Sequence, residues 1–230
     1  ILAKDTLTFD ERRFVLENWH AGANHINSAT SAHFTPCGLA RDMSINVAKA
    51  PVLDLCAGIG GLAFAVFDRW CYDKSLELVC IELNPDYVAV GRKVLPEARW
   101  ICGDIFDLAS LELGHFGTVI SNPPFGAGHR SGSAPRYHGR SFEYHVLDIA
   151  SDIADEAVFI VPQTSAPFRY SGHQSYSADP RHRSREYEKF EQVTGIELEI
   201  GLSIDAAMYR NDWHDVSVDV EIVRADLTEA

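Results

Sequence analysis

A short apolar run leads directly into a glycine-rich turn in the stretch Pro51-Val52-Leu53-Asp54-Leu55-Cys56-Ala57-Gly58-Ile59-Gly60-Gly61. The apolar run is typical of a strand that is buried on both faces of a parallel sheet. An apolar helix is predicted from Leu62 to about Trp70. Glycines let the backbone approach a ligand, and the start of a helix offers free N–H groups. This order of strand, turn and helix therefore predicts a nucleotide-binding corner of an α/β fold.

Two more strands are predicted downstream, and each is followed by an acidic residue. Residues 76–81 end at Glu82, which is placed to bind ribose hydroxyls. Residues 98–102 are followed, after Gly103, by Asp104 and Ile105. The Asp104 carboxylate is suited to accept from the amino group of an adenine, and the Ile105 side chain is suited to pack on its ring. Each acidic residue alone is compatible with a solvated strand end. Three ligand-type turns after three successive strands, however, indicate one binding site.

A fourth turn, Ser121-Asn122-Pro123-Pro124-Phe125-Gly126, follows the apolar run Thr118-Val119-Ile120. Its two prolines fix two φ angles and make the turn stiff. The Asn122 side-chain oxygen and the Pro123 carbonyl are suited to accept hydrogen bonds from an exocyclic amine of a planar base, on which Phe125 can stack. We therefore predict methylation of such an amine, although an ordinary turn is the alternative. The predicted catalytic residues are Asn122, Pro123, Pro124 and Phe125.

Capping residues predict where several helices begin. A helix is predicted over residues 9–19 with Asp10 as its N-cap. Another is predicted to follow Thr35, with Thr35 as its N-cap and Pro36 at its first position. Asn84 is expected to cap the helix that follows the second strand.

The second half of the chain predicts how the sheet is completed. Residues 142–154 are predicted as a helix, residues 157–161 as a strand, and a further helix is expected to reach Val193. Residues 195–202 and 216–223 alternate apolar and polar side chains, as antiparallel strands do. The predicted fold class is therefore α/β, a doubly wound Rossmann-like sheet with a C-terminal antiparallel strand pair.

Two segments, residues 126–139 and 163–179, lack apolar periodicity and are predicted as loops. The net charge of −13 argues against a protein that coats nucleic acid non-specifically. Residues 126–142, however, contain no acidic side chain. We predict that the arginines of these loops and of the segment after them contact nucleic acid, with solvated surface loops as the alternative. They are Arg130, Arg136, Arg140, Arg169, Arg181, Arg183 and Arg185.

Composition limits the cellular setting. The 230 residues are 46% hydrophobic, which fits one α/β domain or two small ones. The five cysteines form no C-x-x-C pair and the histidines show no ligand spacing, which favours a reducing, cytoplasmic location and no metal site. The longest apolar runs fall short of the ~20 residues that span a bilayer, so no membrane partner is expected.

The order of these motifs resembles the S-adenosylmethionine-dependent N6-adenine DNA methyltransferases that carry an Asn-Pro-Pro-Phe turn. More narrowly, it resembles the methylase subunits of type I restriction-modification systems, in which a Phe-Thr-Pro or Tyr-Thr-Pro opening precedes the glycine motif, as Phe34-Thr35-Pro36 does here. The likeness covers residues 33–162. It implies a class I methyltransferase fold, and we expect an N-terminal helical extension over residues 1–32 and a methyltransferase domain over residues 33–230.

The resemblance also implies S-adenosylmethionine as cofactor and assigns residues to it. The glycine turn is expected at the methionine end, Glu82 at the ribose, Asp104 and Ile105 at the adenine, and the Phe-Thr-Pro segment over the cofactor. The implied cofactor-binding residues are Phe34, Thr35, Pro36, Asp54, Ala57, Gly58, Gly60, Glu82, Asp104, Ile105 and Asn122.

Methyl transfer to adenine N6 in DNA is the expected function, so nucleic acid is the expected partner. Structured RNA such as rRNA is an alternative substrate, although the Phe-Thr-Pro match favours DNA. A protein glutamine amide presents a similar amine, but Phe125 counts against it because such enzymes usually carry Tyr there. A non-catalytic regulatory subunit is a further alternative. Sequence specificity is expected from the arginine-bearing loops, from a specificity subunit or from a second copy of the chain in a homodimer.

Overall fold

The structure, a computed structural model, describes residues 1–20, 33–70, 73, 75–127, 130–214 and 218–228. Within them the helices are α1 Phe9–Asn18, α2 Cys37–Met43, α3 Gly61–Trp70, α4 Pro85–Val94, α5 Phe142–Ser151 and α6 Arg185–Thr194. The strands are β1 Val52–Leu55, β2 Leu78–Glu82, β3 Arg99–Cys102, β4 Phe116–Ser121, β5 Ala154–Pro162, β6 Glu199–Ile200 and β7 Val220–Asp226.

All of these strands belong to one sheet, in the order β3-β2-β1-β4-β5-β7-β6. The first five are parallel to one another, while β7 runs antiparallel to β5 and to β6. The chain moves outward from β1 to β3 and then returns to β4 on the other side of β1. The predicted doubly wound sheet with a C-terminal antiparallel pair is confirmed, and its strand order reverses between β1 and β4.

Helices cover both faces of the sheet because the strands are apolar on both faces. Leu53 and Val119 point into a cluster with residues of α5 and α6. Val52 and Ile120 point into a second cluster with residues of α2, α3 and α4. Such continuous apolar strands require a helical layer on each side. In the described part of the chain, no helix is both long and apolar enough to cross a membrane.

Two predicted helix caps are wrong, and a third is confirmed. The N-cap of α1 is Thr8. The Thr8 hydroxyl accepts from the backbone N–H of Glu11, and the Glu11 carboxylate accepts from the backbone N–H of Thr8. Asp10 therefore lies inside the first turn of the helix. The N-cap of α2 is Pro36, which was predicted at the first helical position, and the helix begins at Cys37. The hydroxyl of Thr35 caps no backbone N–H and accepts from Asn122 instead. Asn84 caps α4 as predicted, accepting from the N–H of Asp86.

Several predicted element boundaries also change; β2 begins at Leu78 rather than residue 76 and includes Glu82. α5 ends at Ser151 because β5 already begins at Ala154, which pairs with Phe116 of β4. The strand predicted over residues 195–202 is reduced to β6, Glu199–Ile200. The last strand is shifted to Val220–Asp226, where pairing with β5 fixes it; residues 215–217 of the predicted strand lie outside the described residues.

Residues 130–141 fold back over α5 although they form no regular secondary structure. Every residue of α5 from Phe142 to Ala150 is buried. Tyr137 of the covering segment is 0% exposed, and its ring centroid lies 5.5 Å from that of Tyr144 and 4.9 Å from that of His145. The predicted loop is therefore packed on α5 at Ala134 and Tyr137, while Ser131, Ser133 and His138 are exposed.

Gly91 lies on the buried face of α4, directly against the indole of Trp100. A Cβ atom at Gly91 would lie 2.2 Å from the nearest ring atom of Trp100. Helix propensity alone predicts that Gly91→Ala stabilises the protein by about 1 kcal/mol. Overpacking against a buried ring costs about 1–3 kcal/mol. We expect the packing effect to be larger, so that Gly91→Ala lowers the free energy of unfolding in urea.

The control is Ala89→Gly, at an exposed position of the same helix, which measures helix propensity without the indole contact. A Gly91→Ala protein that is as stable as the wild type, or more stable, would contradict the packing argument.

Candidate active site

The loops that follow β1, β2, β3 and β4 enclose a cavity of about 500 Å³. Ligand pockets typically measure about 300–1,000 Å³. The cavity lies where the strand order reverses, which is the usual ligand position in such a sheet. Most predicted site residues line it, namely Phe34, Thr35, Asp54, Ala57, Gly58, Glu82, Asp104, Ile105, Asn122, Pro124 and Arg130.

Four predicted cofactor or catalytic residues fall outside this lining: Pro36, Gly60, Pro123 and Phe125. Gly60 has a packing reason to be glycine, since its φ is +90° and a Cβ atom there would lie 2.9 Å from the ring of Trp100. Phe125 lies against His33, with ring centroids 6.1 Å apart. The predicted roles of these four residues toward a ligand stay predictions.

Asn122 follows β4 directly and has its side chain held in one orientation. Its Nδ2 donates to the backbone carbonyl of His33 at 2.8 Å and to Thr35 Oγ1 at 2.9 Å. Since a carbonyl can only accept, these bonds decide which end of the amide is nitrogen. The Oδ1 atom is buried and has no hydrogen-bond partner among the described residues. An unsatisfied buried acceptor costs about 1–3 kcal/mol, which indicates a donor on a ligand.

Glu82 ties the end of β2 to the glycine turn. Its Oε2 accepts from the N–H of Gly58 and its Oε1 from the N–H of Asn84, both at 2.8 Å. Burial raises the pKa of Glu82 above its usual value, and the two backbone donors offset part of that rise. The carboxylate therefore fixes the turn that follows β1 and also presents negative charge to the cavity.

Asp104 joins the site to the loop that follows β4. Its Oδ1 accepts from the N–H of Phe106 and so caps the short 3-10 helix Ile105–Leu111. Its Oδ2 accepts from the hydroxyl of Ser131 at 2.5 Å. Because Ser131 also lines the cavity, the loop after the Asn-Pro-Pro-Phe turn closes one side of the site.

Asp54 is the most deeply buried acidic group of the site. Its Oδ2 accepts from the N–H of Ala63 at 3.2 Å, while its Oδ1 has no partner within the described part of the chain. Burial raises the pKa of Asp54 well above its usual value; the bond from Ala63 opposes the rise and the charge of Glu82 adds to it. A buried carboxyl with a raised pKa at a cavity wall makes Asp54 a candidate functional residue, and its bond to Ala63 also ties β1 to the first turn of α3.

Several lining side chains were not predicted as site residues. Leu16 of α1 reaches the cavity, so the N-terminal segment contributes to the site. The predicted boundary at residue 32 lies outside the described residues and stays a prediction. Cys56 and Ile59 lie within the predicted glycine turn, and Phe106 directly follows Ile105. The sequence gives no local signal for Leu16, Ser131 and Phe142, because they come from segments outside the predicted ligand turns. The lining residues that were not predicted include Leu16, His33, Cys56, Ile59, Leu62, Ile81, Leu83, Asn84, Tyr87, Phe106, Ser131 and Phe142.

Three of the predicted nucleic-acid arginines form ion pairs within the protein. Arg136 is bonded to the buried carboxylate of Asp148 and to Asp152, which makes it part of the packing over α5. Arg181 pairs with Asp179, two residues away. Arg183 pairs with Glu191 and lies over the ring of Tyr187.

The other four arginines are not paired with a carboxylate in the described part of the chain. Arg130 lines the cavity and donates to the carbonyl of Gly139 at 3.1 Å. Arg169 donates to two backbone carbonyls. Arg140 and Arg185 are exposed. Of the seven predicted arginines, those without a carboxylate partner in the described residues are therefore Arg130, Arg140, Arg169 and Arg185.

Comparison of the sequence with family models and with curated proteins found no significant match. Solved structures do match. A Listeria monocytogenes protein, lmo1582, provisionally described as a class I S-adenosylmethionine-dependent methyltransferase, aligns with a TM-score of 0.62 and 11% identity over 98% of this chain and 70% of its own. The fold is that of the class I methyltransferases.

Two other structures with this methyltransferase fold are similar. The type I restriction-modification methyltransferase subunit from Streptococcus thermophilus aligns with a TM-score of 0.58 and 13% identity over 86% of this chain, which spans 45% of that subunit. PH1948 from Pyrococcus horikoshii, provisionally described as an RNA methyltransferase, aligns with a TM-score of 0.54 and 20% identity over 94% of this chain and 96% of its own.

Replacing Asp54 with Asn should stabilise the methyltransferase fold by about 0.5–2 kcal/mol at neutral pH, because the amide needs neither a buried charge nor the uptake of a proton on folding. The folded Asp54 keeps its proton to a higher pH than the unfolded side chain does. Wild-type stability therefore falls as the pH rises above the unfolded value of about 4. We expect the gain in Asp54→Asn to shrink as the pH is lowered toward that value.

Urea unfolding of both proteins between about pH 5 and pH 8 measures this difference. Asp68→Asn, at an exposed position of α3, is the control and should show no such gain. An Asp54→Asn protein that is less stable than the wild type throughout this range would show that Asp54 is needed for the fold itself.

Proposed function

We propose that this chain transfers the methyl group of S-adenosylmethionine to the exocyclic N6 amine of adenine in DNA. The observation that carries the proposal is the fixed amide of Asn122. Its Nδ2 is occupied by His33 and Thr35, while its buried Oδ1 lacks a donor among the described residues. An N–H of an exocyclic amine is the donor that this oxygen lacks.

The residues around the cavity fit the proposed cofactor. When bound, S-adenosylmethionine supplies a methyl group on a positively charged sulfur, which leaves as a neutral thioether as the amine takes the methyl group. The carboxylates of Asp54, Glu82 and Asp104 suit a ligand that carries two positive charges, a sulfonium and an ammonium. In this proposal Glu82 binds the ribose, Asp104 the adenine ring, and Asp54 with Gly58 the methionine end.

The chain contributes mainly orientation to the reaction. Asn122 Oδ1 accepts one N–H of the acceptor amine, and the Pro123 carbonyl accepts the other. These bonds concentrate the lone pair on nitrogen and align it with the methyl group. Phe125 packs on the acceptor base. The nitrogen loses its proton readily once it is methylated, so no side chain has to act as a strong base.

Methylation of adenine in structured RNA is the second candidate. The similarity to the Pyrococcus horikoshii protein over nearly the full length of both chains favours it. The similarity to the Streptococcus thermophilus subunit, together with the Phe34-Thr35-Pro36 motif, supports DNA. On duplex DNA the target base has to leave the stack, which costs a few kcal/mol.

Transfer of labelled methyl from S-adenosylmethionine to duplex DNA, single-stranded DNA, rRNA and protein, followed by nucleoside analysis, tests the proposal. If N6-methyladenosine forms in rRNA and no N6-methyldeoxyadenosine forms in DNA, RNA rather than DNA is the substrate. Label in protein, or calorimetry that detects no S-adenosylmethionine binding, would overturn the proposed function.

Asn122→Ala should remove methyl transfer while S-adenosylmethionine binding stays largely intact, because the main role proposed for Asn122 is to orient the acceptor amine. We expect turnover to fall by more than about tenfold, which corresponds to about 1.4 kcal/mol of barrier. Thr35→Val is the matched variant, since it removes one of the two bonds that orient the amide and should give a smaller loss. Turnover of Asn122→Ala within about tenfold of wild type would exclude the assigned role.

Replacing Arg130, Arg140 and Arg185 with Ser should weaken nucleic-acid binding and flatten its salt dependence. Each lost phosphate contact changes the slope of log K against log salt by about 0.9 on duplex DNA, or about 0.7 on single strands. These arginines are chosen because none of them has a carboxylate partner in the described residues. S-adenosylmethionine affinity should not change when only Arg140 and Arg185 are replaced, since neither of them lines the cavity.

Arg181→Ser and Arg183→Ser together form the control, since both arginines are already paired with carboxylates. An unchanged salt slope in the triple variant would mean that these arginines do not hold the substrate. A specificity subunit or a second copy of the chain would then be the better explanation of substrate binding.

A further inference from the structure

Glu143, the second residue of α5, is a buried carboxylate with no role in the sequence-based prediction. The residue is 1% exposed. Its Oε2 accepts from the backbone N–H of Gly126 at 3.2 Å, and its Oε1 accepts from the hydroxyl of Ser165 at 2.6 Å. Neither partner is a cation. The side chain therefore carries a buried charge that is balanced only by hydrogen bonds.

The first of these bonds holds the exit of the Asn-Pro-Pro-Phe turn. Gly126 follows Phe125 directly and has a φ of +74°. Its N–H is bonded to Glu143, and its carbonyl accepts from the N–H of Phe142 at 2.9 Å. Both backbone groups of Gly126 are thus held by the first two residues of α5.

The entrance of the turn is held independently. The hydroxyl of Ser121 donates to the carbonyl of Leu55, which joins the end of β4 to the end of β1. The side chain of Asn122 is held by His33 and Thr35. The turn is therefore fixed at both ends, and Glu143 supplies a side-chain bond at the exit.

The second bond connects the turn to the segment after β5. Ser165 ends the 3-10 helix Gln163–Ser165, and its backbone carbonyl accepts from the hydroxyl of Tyr144 at 2.7 Å. Ser165 is therefore bonded to two consecutive residues of α5. Through Glu143, the turn after β4 and the segment after β5 form one connected unit.

A carboxylate is an expensive way to fill this position. Removing a charge from water costs several kcal/mol, and well-packed apolar side chains are often more stabilising than buried ionic groups. A buried polar group is retained when it fixes a particular arrangement. We propose that Glu143 is a positioning residue that holds the acceptor turn by binding Gly126 and Ser165 at once, a role that rests on the proposed function of Asn122.

This role makes a specific demand on the side chain. Gly126 offers an N–H and needs an acceptor, whereas the Ser165 hydroxyl can either donate or accept. Glutamine meets both needs, because its Oε1 can accept from Gly126 while its Nε2 donates to Ser165. Leucine fills a similar volume but offers neither bond. Charge is therefore dispensable and hydrogen bonding is not.

The experiment compares Glu143→Gln with Glu143→Leu by two readouts. Amide hydrogen exchange of Gly126 reports whether the turn is held, independently of activity. In Glu143→Leu the Gly126 amide should lose protection and kcat should fall by about a hundredfold, since a displacement of about 1 Å at a reacting group has that effect. S-adenosylmethionine affinity should change little. Glu143→Gln should restore both protection and kcat.

Asp148→Asn provides the matched control, since Asp148 is a second buried carboxylate of α5. It accepts from the backbone N–H groups of Arg136 and Tyr137 rather than from the acceptor turn. This variant should lose stability while Gly126 stays protected and kcat is nearly unchanged. If the loss of Gly126 protection and of kcat came from removing any buried charge from α5, it would appear in Asp148→Asn as well as in Glu143→Leu.

Unchanged exchange of Gly126 in Glu143→Leu would overturn the proposal, as would an exposed Gly126 amide with unchanged kcat. A wild-type protein that transfers no methyl group would refute the proposed function instead. In that case the exchange measurement would still decide whether Glu143 holds the turn.

Discussion

The parallel pairing of β1 with β4 is the constraint on which the rest of the site depends. Its register places Leu55 beside Ser121, so the glycine turn and the Asn-Pro-Pro-Phe turn leave the sheet side by side. The bond from the Ser121 hydroxyl to the Leu55 carbonyl fixes that junction. The chain returns to β4 only after it has built β2 and β3, and this reversal of strand order opens the cavity between the two turns.

The cavity wall is built at a cost in stability. Asp54 and Asn122 each keep a buried oxygen without a donor in the described part of the protein, and burial raises the pKa of both Asp54 and Glu82. Apolar side chains at these positions would satisfy the packing at less cost. A ligand with N–H and hydroxyl donors would satisfy these buried oxygens and offset the cost of burying them. Their arrangement therefore supports a binding and transfer site.

Only some of the loop arginines are available to offset the acidic overall charge toward the proposed polyanionic substrate. Arg136 is used to hold the segment over α5, and Arg181 and Arg183 are paired locally. Arg130, at the cavity, and the exposed Arg140 have no acidic partner among the described residues. A count of basic residues in the loops therefore overstates the charge available for binding, and burial and pairing decide which arginines contribute.

The sequence by itself determined the order of strands and turns and the residues that follow each strand, because apolar periodicity, prolines and glycines act over a few neighbouring residues. Glu82, Asp104 and Asn122 could be predicted for that reason. Only the tertiary structure decided that Thr35 binds Asn122 rather than capping α2, that Arg136 binds Asp148, and that Glu143 holds Gly126 and Ser165. These partners are separated by up to 87 residues, and packing, not local propensity, brings them together.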